Sequence, residues 1–439
     1  MSSSGGILTV GSATRHAERT LLSGPVGGVN AALALGRAIG AKDLITCDMG
    51  GTSTDVCLIE NLTPTVLTES LIEGVSFKAA HIDIHTVGAG GGSVARSDAP
   101  GVFRVGPESA GARPGPVCYN FGGTEPTVTD ANLALGRLGT GGLIGGRMEL
   151  NKKASLDSIA ELGKAIGIPD IQRVAEGIIE VAVTKMVGAI REISVQRGHD
   201  PRAYALVCFG GAGPMHGAEI ARELGIADVI IPNHPGNFSA MGLMSSDFRH
   251  DYVRTLLSLV DKLSIDTLHA GFCELEETGR KELLSEGVAR DQIEVMFSAD
   301  MRYVGQGSEI AVSIRKDAVP SALANLFHTA HQQTYGHSRV DHPVQLVNLR
   351  AAAIGHGRKP SLGTAVPPSV KTKISRRSIV FDGIEYDCPI FDRHRLPPGW
   401  TVTGPAVVEE FGSTTVLPPG WQARVDLLGN IRLAPVVSN

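Results

Sequence analysis

The string CDMGGTSTDVCLIE, residues 47–60, places two glycines between an aspartate and a run of small hydroxyl residues. The residues on both sides, in DLITCDMG and TDVCLIE, are apolar and β-branched in the manner of strands. The string therefore predicts two strands joined by a tight hairpin at Gly50 and Gly51. Such a turn offers bare main-chain N–H groups to phosphate oxygens, and a carboxylate at its entrance can orient hydrated Mg²⁺. A hairpin whose glycines serve only the turn is the equal alternative.

The composition is that of an ordinary folded protein. The 439 residues are 42% hydrophobic and 19% charged, enough for two or three domains with substantial cores. A net charge of −5 gives no electrostatic case for nucleic acid or an anionic membrane as partner. We find no run of about 18 apolar residues that could span a bilayer. The N-terminus, MSSSGGILTV, lacks the basic and apolar regions of a secretory signal.

Cysteine usage indicates a reducing, cytoplasmic setting. The six cysteines form no CxxC pair, which makes a zinc ribbon or a redox motif improbable on sequence grounds. Three of them lie inside apolar, strand-like runs, where a reduced cysteine behaves as a small hydrophobe. Nothing in the sequence resembles a nucleophile elbow of a serine hydrolase, and no cysteine has a persuasive histidine partner.

The first half of the chain has the periodicity of an α/β domain. Residues 26–40 and 170–197 predict helices, and HIDIHTVG, residues 81–88, predicts a strand. Residues 100–147 are rich in Gly and Pro and predict a long functional loop. YALVCFGG, AGPMHGAEIAREL and DVIIP follow as strand, helix and strand. Short strands linked by helices predict a parallel or mixed sheet covered on both faces.

The pattern changes after residue 250. Helices are predicted near 264–288 and 317–335, and the last 80 residues predict short strands separated by Pro/Gly turns. We therefore predict an α/β domain over residues 1–250. An α+β domain is predicted over residues 251–439, β-rich after about residue 360.

Two further glycine clusters follow strand-like runs. HTVGAGGGS, residues 85–93, is a candidate anion nest around Gly90 and Gly91 with the Ser93 hydroxyl at its end, or else a flexible loop. CFGGAGPMHG, residues 208–217, approaches a dinucleotide fingerprint. The strand after it ends in Asn233 with no carboxylate for a ribose, which disfavours NAD. A glycine turn onto a helix N-terminus, packed against a nucleoside or a phosphate, stays open.

Polar side chains of metal-binding type alternate with isoleucines in HIDIH, residues 81–85. Alternation places His81, Asp83 and His85 on one face and Ile82 and Ile84 in the core. The two histidines would lie roughly 13 Å apart at about 3.3 Å per residue, too far to share one ion. An Asp–His pair reaching an ion or a substrate, a polar cleft wall and plain structural roles are the open alternatives.

Three other polar residues have ready structural explanations. In TVTDAN, Asp130 precedes an apolar helix and needs no function if it is the N-cap. His216 and His234 lie near glycine turns, where a histidine can be a general base or a structural residue.

Taken together, the motifs resemble those of the hydantoinase A/5-oxoprolinase family. The resemblance rests on LLSGPVGGV, DMGGTSTDV, HTVGAGGGSVA, GPVCYNFGGTEPTVTDANLALGRL, FGGAGPMHG, RYVGQG and GPAVVEEFGSTTVLPPGW, which run through almost the whole chain. It implies an actin/Hsp70/sugar-kinase-like (ribonuclease H-like) fold for the α/β domain. Members of this family use ATP to phosphorylate a carbonyl oxygen. Some open cyclic amides such as 5-oxoproline, and others are subunits of acetone- and acetophenone-type carboxylases.

The resemblance also assigns residues. It implies that Gly50, Gly51, Thr52 and Ser53 cradle the phosphates of ATP, and that Asp48 orients Mg²⁺ through water. Gly210, Gly211 and Gly213 would lie beneath the nucleoside. Asp55, Asp83 and His85 are the further candidates for contacts with Mg²⁺ or substrate, and Asp48 joins them as a catalytic candidate.

One part of the family pattern has no counterpart in these residues. The family's first half, which carries its own phosphate hairpin, is missing from the match. We therefore expect a partner chain that supplies this half, or a hydantoinase B-type subunit, in a hetero-oligomer. The expected function is an ATP-dependent cyclic-amide hydrolase subunit. A subunit of an ATP-dependent ketone carboxylase and a truncated homologue without turnover are the alternatives.

Overall fold

The structure, a computed structural model, describes residues 1–67, 69–72, 75–77, 79–99, 102–141, 143, 145–357, 359 and 374–436. The chain forms two compact units, and each is drawn from several segments. The small unit comprises Met1–Ser23, Leu67–His81 and Ser246–Lys359, and the large unit comprises Gly24–Val66, Ile82–Ser245 and Pro360–Asn439.

The elements of the described residues are numbered in chain order. The helices α1 to α9 are Val10–Arg15, Ser23–Ile39, Val128–Ala134, Lys152–Ile166, Ile171–Ile193, Gly213–Leu224, Phe238–Met244, Ile265–Ser285 and Pro320–Tyr335. The strands β1 to β23 are Leu44–Met49, Thr54–Glu60, Thr63–Pro64, Val66–Leu67, Ser70–Ile72, Val75–Phe77, His81–Ile82, His85–Val87, Ser93–Ala99, Val102–Ser109, Ala205–Phe209, Val229–Ile231, Phe248–Leu259, Ile293–Tyr303, Ile310–Ile314, Val344–Gly355, Ser375–Phe381, Ile384–Asp392, Thr401–Thr403, Ala406–Glu410, Ser413–Leu417, Trp421–Val425 and Ile431–Pro435.

A nine-stranded mixed sheet organises the large unit. Its order is β19-β22-β23-β12-β11-β1-β2-β3, and β8 also pairs with β2. Strands β1, β11 and β12 are parallel, whereas β2 returns antiparallel to β1 through the predicted hairpin. This confirms the predicted fold class, an α/β fold with a mixed sheet and helices, followed by a β-rich C-terminal region.

Helices cover both faces of the sheet, as predicted from its apolar strands. Ile45, Cys47 and Met49 of β1 are fully buried in a core that they share with α5 and α6. On the opposite face Leu44 approaches Gly36 of α2, where a Cβ would lie 3.0 Å from the Leu44 Cδ1 atom. The small-residue composition of α2 therefore serves close packing of the helix on the sheet.

The end of the chain completes the large unit. Strands β22 and β23 extend the large sheet from β12, and β17, β18, β20 and β21 form a second four-stranded sheet. The compact units therefore divide the chain elsewhere than at residue 250, because the last strands pair with a strand of the first half. The sequence division into residues 1–250 and 251–439 stays a prediction.

The small unit is built on a four-stranded antiparallel sheet of order β13-β16-β14-β15. Helices α8 and α9 contribute Phe272, Leu323 and Phe327 to its core, where they meet Leu349 of β16. Helix α8 starts one residue after its predicted position, and α9 starts three residues after its predicted position. Across the described part of the chain, the helices are too short or too polar to cross a membrane.

Two local predictions are wrong. HIDIHTVG does not form one strand, because Asp83 and Ile84 interrupt it between β7 and β8, where the Asp83 main-chain N–H donates to the Thr65 carbonyl. Residues 100–147 are not a long loop either. Their described part contains strand β10 and helix α3, whose short lengths hide their periodicity among the glycines and prolines.

Asp130 is a buried connector rather than an N-cap. The N-cap of α3 is Thr127, and Asp130 closes a capping box from the third helical position. Its fully buried carboxylate accepts five hydrogen bonds, from Val117 N, Cys118 N, Thr127 N, Thr127 Oγ1 and Ser155 Oγ. These bonds fasten the segment before α3 to α3 itself and to α4.

We expect Asp130→Asn to lower the free energy of unfolding of the large unit by about 2–4 kcal/mol, because an amide cannot accept all five bonds and leaves buried donors unpaired. Urea unfolding measures the change. Asp157→Asn is the control, since Asp157 lies exposed on α4 and its ion pair with Lys153, at 3.5 Å, is on the surface. Equal losses in the two variants would contradict the assignment.

Candidate functional site

The predicted hairpin forms between β1 and β2. Its four-residue loop, 50–53, is closed by a hydrogen bond from the Gly50 N–H to the Ser53 carbonyl at 3.1 Å. Neither Gly50 nor Gly51 adopts a φ in the left-handed region, and a Cβ on either would meet no atom within 4 Å. The turn itself therefore does not require glycine at these positions. What the missing side chains provide is an open main chain on the outside of the loop.

The second glycine cluster packs directly against this hairpin. The Gly91 N–H donates to the Gly50 carbonyl at 3.0 Å, and the Gly92 N–H donates to the Gly51 carbonyl at 2.6 Å. A Cβ on Gly90 would lie 2.6 Å from the Thr52 carbonyl carbon, so only glycine fits there. We call these two loops, residues 50–53 and 88–93, the interlocked loops. The Ser93 hydroxyl accepts from the Gly90 N–H at 2.8 Å within the interlock.

The third glycine turn follows the neighbouring parallel strand β11. Gly210 has a φ of +82° and lies so close to β1 that a Cβ would be 2.4 Å from the Met49 carbonyl oxygen. The Ala212 N–H donates to the same carbonyl at 3.0 Å, and Gly213 begins α6. This geometry holds the turn of β11 beside the hairpin of β1, at the shared carboxyl end of two parallel strands.

A cleft of about 870 Å³ opens at this carboxyl end, within the large unit. Gly50, Gly51 and Gly91 line it from the interlocked loops, and Gly211 and Ala212 line it from the turn after β11. All three predicted glycine turns therefore line one cavity, and its volume lies in the range of known ligand sites. Among the described residues, no main-chain N–H of Gly51, Thr52 or Ser53 has a hydrogen-bond acceptor.

Two carboxylates stand at the base of the hairpin, directly opposite each other in the β1–β2 register. Asp48 accepts a hydrogen bond from the Ser239 hydroxyl at 3.0 Å, and Asp55 accepts one from the Thr86 hydroxyl. Burial raises the pKa of Asp48 to about 6, with Asp55 adding to the rise and Ser239 opposing it. Burial also raises the pKa of Asp55. Such a pair of like charges is unfavourable without a cation or a proton nearby.

Asp48 and Asp55 do not belong to the cleft lining, although the Asp48 carboxylate touches the Gly210 turn. A Cβ on Gly210 would lie 2.5 Å from the Asp48 Oδ1 atom. The hairpin therefore has a cleft side, formed by its glycines, and a carboxylate side.

Asp83 and His85 are not brought together with these carboxylates. Asp83 forms an ion pair with Arg197, and His85 Nε2 lies 3.4 Å from Glu192 Oε2 on α5. In the β2–β8 register His85 is opposite Val56, whose side chain is in the core beneath α5, while Asp55 is one residue away on the other face. This placement favours structural roles for Asp83 and His85.

The two histidines near glycine turns lie outside the cleft lining. His216 is fully buried on α6, with its Nδ1 atom 3.4 Å from Glu219 Oε2. His234 has a φ of +55°, and burial lowers its pKa. Neither faces the predicted hairpin residues.

The C-terminal hairpin of β20 and β21 forms a wall of the cleft that sequence reasoning missed. Glu410, Phe411 and Ser413 line the cavity, and the Ser413 hydroxyl lies 3.3 Å from the Gly211 carbonyl oxygen that accepts its hydrogen bond. The string that encodes this wall, EEFGSTTV, was part of the family resemblance but carried no chemical signature of its own. Tyr119 and Thr129, from the segment around α3, also line the cleft.

The chain matches one family of known proteins over most of its length. Residues 1–252 match the family described as hydantoinase/oxoprolinase, and residues 261–434 match the hydantoinase/oxoprolinase C-terminal domain. The caprolactamase subunit alpha of Pseudomonas jessenii is 36% identical over 433 residues, which are 96% of this chain and 62% of that protein.

Two solved structures extend the similarity to the fold. The crystal structure of the ATP-dependent caprolactamase from Pseudomonas jessenii aligns with a TM-score of 0.85 and 35% identity, over 99% of this chain and 64% of that chain. A nucleotide-free acetone carboxylase aligns with a TM-score of 0.82 and 26% identity, again over 99% and 64%. The chain thus spans somewhat less than two thirds of the length of these relatives.

The interlocked loops yield a matched pair of variants. We expect Gly90→Ala to destabilise the large unit by about 1–3 kcal/mol, because its Cβ must displace the main chain of the hairpin. Gly51→Ala should leave stability within about 0.5 kcal/mol of wild type, since its Cβ meets open space, yet weaken binding of a phosphate-bearing ligand. Thermal unfolding and titration with MgATP measure the two effects. Wild-type MgATP affinity in Gly51→Ala would contradict a phosphate contact at this turn.

Proposed function

The chain belongs to the hydantoinase/oxoprolinase family, and we propose that it is the nucleotide-binding part of an ATP-dependent enzyme that opens a cyclic amide. The observation that carries the proposal is the convergence of the predicted glycine turns on one cleft at the carboxyl end of β1 and β11. The substrate class follows from the 36% identity to a caprolactamase subunit.

The phosphate end of the cleft would be the interlocked loops. The Gly50 and Gly51 carbonyls accept hydrogen bonds from Gly91 and Gly92, whereas the N–H groups of Gly51, Thr52 and Ser53 have no acceptor among the described residues. Oriented main-chain N–H groups are a suitable partner for phosphate oxygens, as they carry partial positive charge and need no reorganisation on binding. The Thr52 hydroxyl, on the exposed tip of the hairpin, can add a further donor.

The carboxylate side of the hairpin fits a magnesium ion. Mg²⁺ prefers carboxylate, water and phosphate oxygens, and it usually keeps several waters. Asp48 would hold the hydrated ion, with Asp55 beside it, and a nearby dication would offset the burial and the smaller effect of Asp55 that raise the pKa of Asp48. Mg²⁺ would supply charge neutralisation of the phosphates. The donor set thus agrees with the magnesium role that the resemblance implies for Asp48.

In the proposed reaction the protein itself forms no covalent bond with the substrate. Bound ATP would phosphorylate the amide oxygen with release of ADP, which makes the carbonyl carbon more electrophilic. Water would add to that carbon, and the C–N bond would break as the ring nitrogen takes a proton, leaving an acyl phosphate. A second water would hydrolyse the acyl phosphate to the carboxylate and phosphate. The glycine turns would position the phosphates, and Gly210, Gly211 and Gly213 would support the nucleoside. Positioning and charge neutralisation are the main protein contributions to phosphoryl transfer in general.

A second chain is part of the proposal. The caprolactamase relative is named as a subunit, and this chain spans 62% of its length. A partner chain that completes the nucleotide site, or a hydantoinase B-type subunit, is supported by that relative's name as a subunit. A ketone carboxylase subunit is the second candidate, supported by the 0.82 TM-score with acetone carboxylase.

The test is an ATPase assay on the complex purified from the native host. It compares ADP release with caprolactam, 5-oxoproline and hydantoin against release with acetone and bicarbonate. We expect release to depend on Mg²⁺ and on a cyclic amide. Release with acetone and bicarbonate alone would favour the carboxylase, and no release with any substrate would favour a homologue without turnover.

In the same assay, Asp48→Asn should reduce ADP release by about a hundredfold or more, because the magnesium-orienting carboxylate is lost. Its melting temperature should stay equal or rise by about 2–4 °C at pH 7. The folded-state pKa of about 6 lies above the ordinary value of 3.8, so ionisation of Asp48 opposes folding above pH 6. Asp228→Asn, which breaks the pair with Arg432 outside the cleft, is the control. Full turnover in Asp48→Asn would contradict the magnesium role.

A further inference from the structure

A buried carboxylate lines the cleft from its C-terminal wall and has no hydrogen bond to any residue that the structure describes. Glu410, the last residue of β20, lines the cavity, and its side chain is 5% exposed. The nearest cation, the Arg393 Nη1 atom, lies 3.7 Å from Glu410 Oε1, beyond hydrogen-bond distance. Burial raises the pKa of Glu410 to about 7 against the opposing effect of Arg393.

Arg393 is held in place by other groups. Its Nη2 atom donates to the main-chain carbonyls of Pro232 and Gly429 at 3.1 and 2.8 Å, whereas the buried Nη1 atom has no partner among the described residues. The Arg393 guanidinium is therefore a fixed positive charge next to Glu410. It favours the ionised form of the carboxylate but forms no hydrogen bond with the carboxylate oxygens. A buried polar pair left incomplete in this way points to a third group that enters from the cleft.

The position of Glu410 identifies the part of a nucleotide that would meet it. In the hairpin register Glu410 is opposite Ser413, and Ser413 contacts the Gly211 turn that would support the nucleoside. The next residue, Phe411, extends beyond it as a half-exposed aromatic ring on the same wall. With the phosphates at the interlocked loops, the sugar would come next to Glu410 and the base beyond it.

We propose that Glu410 is the ribose-binding residue of the cleft, accepting hydrogen bonds from the two vicinal hydroxyls of a bound ribonucleotide. This inference rests on the proposed nucleotide function. A carboxylate offers two acceptor oxygens to the two donors of the diol, and both are charge-assisted bonds. Removing one hydroxyl leaves a carboxylate oxygen unpaired in a buried position, which costs about tenfold in affinity.

The experiment measures dissociation constants of the native complex that contains this chain for the magnesium complexes of ATP, 2′-deoxy-ATP and 3′-deoxy-ATP. Wild type should bind ATP about tenfold more tightly than either deoxynucleotide. Glu410→Gln should weaken ATP binding about tenfold and bring the three constants together. Asp228→Asn, which also removes an ion-paired carboxylate of the large unit, should keep the wild-type ratios.

A second variant separates recognition from folding. Glu410→Asp keeps the charge beside Arg393 but withdraws the oxygens by one methylene, so it should remain folded and lose most of the ribose discrimination. If both variants retain the wild-type ratios, Glu410 is only the counterion of Arg393 and the inference is wrong. The dissociation constant for the magnesium complex of ITP is measured in the same way. If the variants lose a wild-type preference for ATP over ITP and keep the ribose ratios, Glu410 contacts the base and the ribose assignment is wrong.

The outcomes also separate this inference from the function beneath it. Binding of MgATP by wild type together with unchanged ratios in the variants overturns the ribose assignment alone. Absence of MgATP binding by the wild-type complex overturns the proposed function and the ribose assignment together.

Discussion

The site depends on the hydrogen bonds between the two interlocked loops. The N–H groups of Gly91 and Gly92 donate to the carbonyls of Gly50 and Gly51 and so fix the hairpin, while among the described residues the N–H groups of Gly51, Thr52 and Ser53 have no acceptor. A buried hydrogen bond from the Thr54 hydroxyl to the Ala89 carbonyl fastens the same contact at the start of β2. A bare glycine hairpin without such a support would sample many conformations and lose entropy on binding.

Much of the large unit serves to hold this contact in place. Thr129 donates to the Gly91 carbonyl through both its N–H and its hydroxyl, at 2.8 Å each, and so ties the second loop to α3. The next residue, Asp130, ties α3 to α4 and to the segment before it. The C-terminal strands β22 and β23 belong to the same sheet as the hairpin, which they extend beyond β12. The opposed carboxylates of Asp48 and Asp55 oppose folding, which is understandable if a cation belongs beside them.

The sequence predicted the parts of this arrangement that are local. Strands β1 and β2, the helix α5 and the strand–turn–helix–strand unit from β11 to β12 follow from periodicity and glycine placement within a few residues. Each of the three glycine turns was predicted as a candidate site from the sequence. The contact between the turns around Gly51 and Gly91 could not be predicted, because it depends on hydrogen bonds between distant segments of the chain. For Gly50 and Gly51 the sequence left an open main chain for phosphate and a plain turn as equal alternatives. Neither glycine has a positive φ, so the turn does not require glycine there, which favours access to the main chain.

Features that depend on contacts between distant parts of the chain could not be predicted from the sequence. Asp83 and His85 looked like site residues because strict alternation in HIDIH implied one polar face, but a break in the strand gives each a partner from the end of α5 or just beyond it. Ser239 and Glu410 were missed because nothing near them in sequence distinguishes them. Only the fold places Ser239 against Asp48 and Glu410 in the cleft wall.

Hydrogen exchange of the chain with and without a magnesium complex of a non-hydrolysable ATP analogue tests the central claim most directly. The account predicts that the analogue slows exchange of the amides of Gly51, Thr52 and Ser53, which have no internal acceptor, by at least tenfold. Peptides from the small unit, such as those of α9, should serve as the unchanged reference. Binding of the analogue with no added protection at residues 50–53 would contradict the account.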